Sequence, residues 1–148
     1  MARVCVVLAL LLLREGTCQA TENSIEGTWQ QVTGYSMEGD ETAPQRVKEW
    51  DMTVTFAGDR MTNRTKFGDT YREKTWRVQF DRTKNPAQIH WWLREGIAPA
   101  TGIYQVSGDT LKIAWTSGDD KRIPPDALTP CPKDSQNKWI FLVYKRKK

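Results

Sequence analysis

The chain is 148 residues long, carries a net charge of +4 at neutral pH with 27% charged residues, and contains a single histidine and three cysteines. That length suits one domain with one core, and the densest basic cluster, Lys145-Arg146-Lys147-Lys148, reads as a solvated tail rather than a nucleic-acid surface. One histidine excludes His-based metal clusters, and no phosphate-binding glycine loop is present, so neither a metal nor a cofactor is expected.

Residues 1–20 read as an export signal: Arg3, an apolar run from Val4 to Leu13, then a polar stretch ending Cys18-Gln19-Ala20 with small residues where signal peptidase needs them. The apolar run is about half the ~20 residues of a transmembrane helix, so no membrane span is expected. Cleavage after Ala20 leaves a mature domain, Thr21 to Lys148, secreted or periplasmic and monomeric, with a charge of about +3 because Arg3 and Arg14 leave with Glu15. A lipoprotein anchor at Cys18 competes with this reading, but Glu15 stands where a lipobox wants an apolar residue. Cys131 is then alone in the mature chain and cannot form an intrachain disulfide; its thiol is either buried or exposed and able to pair between chains.

From there the text alternates with period two and offers no long amphipathic helix. The first strand is expected near Glu26 to Tyr35. A second holds Trp50, Met52, Val54 and Phe56 on alternate positions and turns at Ala57-Gly58-Asp59 into a third, Arg60 to Phe67. Gly68-Asp69 leads to a fourth, Tyr71 to Phe80, with Trp76, Val78 and Phe80 on one face, ending in the polar turn from Asp81 to Pro86. A fifth spans Gln88 to Arg94, with Ile89, Trp91 and Leu93 inward and His90 and Trp92 on the other side. The sixth, Thr101 to Val106, and the seventh, Thr110 to Trp115, flank Ser107-Gly108-Asp109. The eighth, Trp139 to Tyr144, is apolar on both faces, as in a strand paired on both sides or covered on both faces.

Five of the ten glycines are followed by aspartate, at Gly39, Gly58, Gly68, Gly108 and Gly118. Glycine at the first central position supplies the positive φ of a two-residue type II′ hairpin loop, so these steps read as turns and their aspartates as turn residues bonded to their own backbone. Two segments stand outside the rhythm: Thr42 to Lys48, which suits one helical turn after Pro44, and Gly118 to Asn137, whose four prolines favour a fixed extended path. The fold class that results is all-β, a single antiparallel up-and-down barrel of about eight strands. Such a barrel either holds a small ligand or is filled by its own side chains. The candidate cavity residues are Trp50, Val54 and Phe56 on the second strand, Trp76 and Val78 on the fourth, Trp91 and Leu93 on the fifth, and Tyr104, Ile113 and Trp115 on the sixth and seventh.

Gly27-Thr28-Trp29, the stretch from Phe56 to Thr62, that from Asp81 to Ile89, that from Gly102 to Lys112 and the closing Lys145-Arg146 together resemble an uncharacterised lipocalin-like domain family expanded in planctomycete bacteria, over nearly all of the mature chain. The resemblance implies an exported lipocalin-like barrel with no established activity. Gly27-Thr28-Trp29 also resembles the Gly-x-Trp of the lipocalin first strand, which implies that Trp29 closes the barrel end beneath a cation from the last strand: Arg146, or Lys145 if the register is shifted by one. The chain departs from typical lipocalins in lacking a disulfide and a convincing C-terminal helix.

No base, nucleophile or metal set is evident, so the chain is not read as an enzyme; His90 with Cys131 lacks an orienting third group. Trp91-Trp92 suits a sugar platform if Trp92 is exposed, and otherwise places Trp91 in the core and Trp92 against a neighbouring strand. The leading expectation is a non-enzymatic exported protein that binds a small apolar or amphipathic ligand in the barrel. The alternative is a cell-envelope module with a solid core whose loops, the Pro-rich one above all, bind a protein or glycan.

Overall fold

The computed structural model describes residues 24–35, 51–116 and 123–148. The expected signal peptide, Trp50, the Thr42 to Lys48 turn and the Gly39-Asp40 and Gly118-Asp119 steps lie outside them. Eight strands follow one another: β1 (Gly27–Tyr35), β2 (Met52–Ala57), β3 (Arg60–Phe67), β4 (Thr70–Asp81), β5 (Ala87–Trp92), β6 (Ala100–Ser107), β7 (Thr110–Thr116) and β8 (Trp139–Arg146). Each pairs antiparallel with its neighbour, and β8 returns to β1, so the sheet closes into an up-and-down barrel without a free edge strand. Among the described residues there is no helix, and none long and apolar enough to cross a membrane.

Three Gly-Asp steps set the register. Ala57 pairs with Arg60, Phe67 with Thr70 and Ser107 with Thr110, leaving Gly-Asp as each two-residue loop. Gly58, Gly68 and Gly108 have φ of 59°, 58° and 54°, and the following aspartates do not share the positive sign. That is the φ signature of a type II′ loop, whose twist matches that of the flanking strands. Since register decides which face every residue occupies, these loops aim whole strands at the core. Val54, Phe56, Val78, Ile89, Trp91, Tyr104, Leu111, Ile113, Leu142 and Tyr144 are buried together inside the barrel.

Gly102 of β6 is crowded by β7 and by the Trp91 ring. A Cβ there would lie 2.7 Å from the Ala114 carbonyl oxygen and 3.0 Å from the Trp91 ring. Backbone cannot retreat as a flexible side chain can, so Gly102→Ala is expected to cost about 2–3 kcal/mol of stability. Chemical denaturation checks this: the midpoint should fall with an unchanged m-value, whereas a loss below about 0.5 kcal/mol would contradict the packing described.

A second core lies on the outer wall. Ile103, Ala114, Trp139 and Phe141 point outward from β6, β7 and β8, and Cys131 and Leu128 of the Pro-rich segment cover them. Thr116 donates its hydroxyl to the Ile123 carbonyl at 2.6 Å, and the Trp139 indole donates to the Thr129 carbonyl at 2.8 Å, pinning the segment at its start and midway along it. β8 is thus apolar on both faces because it is paired on both sides and covered outside as well. The Cys131 thiol is 1% exposed and sits 3.5 Å from the Pro132 and Asn137 carbonyl oxygens.

Candidate ligand cavity and barrel closure

One end of the barrel is sealed by the segment entering β1. Trp29 is fully buried, and its indole N–H donates to the Ile25 carbonyl at 2.8 Å, folding residues 24–26 beneath the ring. Arg146 pairs with Trp29 across the sheet and lays its guanidinium 4.1 Å from the ring centroid. Its two terminal nitrogens donate to the Glu26 and Ser24 carbonyls, each at 2.7 Å, and its Nε faces the Asp109 carboxylate at 3.7 Å. Gly27 has φ +113°, and a Cβ there would lie 3.1 Å from an Arg146 nitrogen, leaving little room for a side chain. Lys145, one step along, points to the other face and bonds Thr110 at 2.6 Å. Asp109 therefore does more than turn the chain, because the register brings it to the cation that closes the barrel.

Inside the wall lies a cavity of about 210 Å³. Val54 and Phe56 of β2, Met61 and Asn63 of β3, and Trp76 of β4 line one side; Trp91 of β5, Leu111, Ile113 and Trp115 of β7, and Tyr144 of β8 line the other. The strands put them there by strict alternation: Val54 faces Asn63, Phe56 faces Met61, Met61 faces Trp76, and Leu111 faces Tyr144. Trp91 and Trp115 meet edge to face with centroids 6.0 Å apart. An apolar cavity of about 150 Å³ is enough to bind benzene, so this one has room for a small aromatic or short aliphatic body.

Six of the ten candidate cavity residues, Val54, Phe56, Trp76, Trp91, Ile113 and Trp115, line the cavity. Val78 and Tyr104 are buried in the same core without lining it; Tyr104 instead packs edge to face on Phe80, 5.7 Å away. Leu93 is a correction. β5 ends at Trp92, the chain turns outward through Gly96, and Leu93 is 47% exposed. Trp92 is half buried under the Arg77 guanidinium, 5.4 Å from the ring centroid, on the neighbouring β4. His90 faces outward from β5 and shares a 3.0 Å hydrogen bond with the Thr101 hydroxyl.

Met61, Asn63, Leu111 and Tyr144 were not among the expected residues. Leu111 shares its alternation with Ile113 and Trp115, a signal the sequence does carry. Met61 and Asn63 belong to a strand whose polar text hides its inner face, and Tyr144 to a strand apolar on both sides.

The cavity's polar groups are few. Asn63 accepts from the Thr65 hydroxyl at 3.1 Å and donates to the Met52 sulfur at 3.7 Å. Tyr144, fully buried, donates to that same sulfur, a weak acceptor, at 3.9 Å, its one hydrogen bond among the described residues. On β1, Gln31 pairs across the sheet with Tyr144, and its buried side-chain oxygen has no hydrogen-bond partner among the described residues. Burial pushes the Tyr144 phenol far above its ordinary value of 10.0. Unfolded protein therefore loses this proton first, so the tyrosine leaves stability unaffected below about pH 10 and lowers it above, by up to about 1.4 kcal/mol per pH unit. Tyr144→Phe is expected to flatten that alkaline decline, measured as the difference between the two proteins' denaturation midpoints from pH 9 to 11. Parallel curves would contradict it.

Fold and cavity together define an eight-stranded antiparallel up-and-down barrel with a hollow, mostly apolar interior, consistent with a lipocalin-like barrel. Comparison with protein-family models, with curated proteins and with solved structures finds no match to this chain. Among the described residues no group of three or more His, Cys, Asp or Glu is placed to hold a metal ion.

Proposed function

We propose that the chain is an exported, non-enzymatic, lipocalin-like binding protein that takes a small apolar or amphipathic molecule into its barrel. The observation that carries this reading is the 210 Å³ cavity lined by aromatic and aliphatic side chains. A barrel evolved only for stability gains by filling such space, since each lost contact in a core void costs energy. Tyr144 and Asn63 supply the oriented polar groups by which an apolar pocket selects its occupant. Export rests on the leader at residues 1–20, and membership of the planctomycete lipocalin-like family on the motifs quoted above. Residues 123–138 spend Leu128 and Cys131 on the barrel's own wall, which leaves a ligand in the interior as the better-supported reading over a loop-borne protein or glycan site.

Native mass spectrometry of the exported protein, purified without detergent, tests this directly. The expected spectrum shows the chain beginning at Thr21 with a small-molecule adduct that organic extraction removes. A bare chain that also takes up no small apolar probe would overturn it.

A further inference from the structure

The barrel wall is incomplete at one seam. β4 runs from Thr70 to Asp81, yet it pairs with β5 only from Arg77 to Asp81, so residues 70–76 lack a strand partner on that side among the described residues. A groove of about 720 Å³ occupies the gap. Its walls include Lys74 and Trp76 from the inner face of β4 together with Thr75 and Arg77 from the outer face. The groove runs along the unpaired edge of β4, and Trp76 lines the groove and the cavity alike.

The lip of this opening is cationic. Lys74, Arg77 and Arg94 border it against Glu95 as the one acid. Lys74 stands opposite Asn63 in the β3–β4 ladder, and Asn63 lines the cavity, so Lys74 lies one pairing position from the cavity wall. Lys74, Arg94 and Glu95 are all exposed, and no ion pair or hydrogen bond among the described residues engages Lys74 or Arg94.

Building on the interior-ligand reading, we propose that this seam is a lateral portal with Trp76 as its inner wall, and that the ligand is a small amphipathic anion. Its apolar body occupies the cavity, and its negative group stays in the groove against Lys74 and Arg94. The arrangement separates the two halves of such a molecule as water would: the body is desolvated, while the charge keeps solvent contact and gains two cations, so no ion is buried without a partner. A neutral molecule of the same shape would gain nothing from the lip.

Calorimetric titration of the mature protein with hexanoate and hexanamide tests the proposal, since the two share one apolar body. Hexanoate is expected to bind roughly tenfold more tightly at low ionic strength, with the preference shrinking as salt is added. In the Lys74→Gln/Arg94→Gln double variant the preference should vanish while hexanamide affinity holds; both side chains are exposed, so the fold should tolerate the change. Equal affinities in the wild type, or a preference that survives in the double variant, would overturn the portal while leaving the cavity occupied. Failure of both probes to bind the wild type would overturn the interior-ligand reading with it.

Discussion

Trp29→Ala will destabilise the barrel by about 4 kcal/mol, among the largest losses any single substitution here should produce. The indole is fully buried, so its removal leaves a void that the surrounding strands cannot close. The same change deletes the donor that holds the Ile25 carbonyl and the ring beneath the Arg146 guanidinium. That cation–ring contact adds about 1 kcal/mol at a half-exposed site. Against a domain stability of roughly 5–15 kcal/mol the loss is large, and a fall in melting temperature of about 15 °C should accompany it. Trp29→Phe separates the causes: it keeps a ring under Arg146 but loses the N–H, and should cost about 1–2 kcal/mol. Losses below about 1 kcal/mol for the alanine variant would mean that the 24–26 segment does not seal the barrel end.

The second large effect falls on binding. Ile113→Trp is expected to leave stability within about 1 kcal/mol of wild type, because the larger side chain grows into empty space rather than into packed neighbours. It should weaken binding of a small apolar probe such as 1-hexanol at least tenfold, since the ring takes the volume that the probe needs. A matched change on the outer wall, Ile103→Leu, lies in the other core and should leave probe affinity unaltered. If Ile113→Trp unfolds the protein, the cavity is smaller than described. If affinity is unchanged, the probe binds elsewhere.

Much of this barrel was written in local chemistry. The Gly-Asp loops at 58, 68 and 108 announce both the turns and, through their two-residue length, the registers of β2 with β3, β3 with β4 and β6 with β7. Alternation then assigns Val54, Phe56, Trp76, Ile113 and Trp115 to one face without any tertiary information. What was not legible depends on contacts distant in sequence. Val32 sits where the pairing of β1 with β8 shifts register between Gln31 and Thr33, and nothing in Gln31-Val32-Thr33 marks the irregularity. Leu93 extends the alternation of β5 in sequence but not in space, because the chain leaves the sheet after Trp92. The Pro-rich segment has no period to read, so its burial of Cys131 and Leu128 against β6 to β8 emerges only once the wall exists. Tyr144 was hidden for the opposite reason. A strand covered on both faces shows no alternation, and which of its side chains meets the cavity is fixed by pairing to Leu111 and Gln31.

The closure at Trp29 and Arg146 links the first and last strands, β1 and β8, through one stack. Arg146 gathers carbonyls from Ser24 and Glu26 and the Asp109 carboxylate, and Glu26 in turn accepts the Gly58 N–H at 3.2 Å. Two of the hairpin loops are thereby tied to the end that is sealed. The Gly68-Asp69 loop belongs to the opposite end, where the β3–β4 hairpin runs beyond its β5 neighbour and opens the seam.

The most direct test of the interior site is a two-dimensional NMR titration of the mature protein with 1-hexanol. Shifts confined to the amides of Val54, Ile113 and Tyr144 and to the Trp76, Trp91 and Trp115 indole N–H signals are the expected result. An unchanged spectrum, or shifts clustered on the outer wall around Ile103, Leu128 and Phe141, would contradict a ligand inside the barrel.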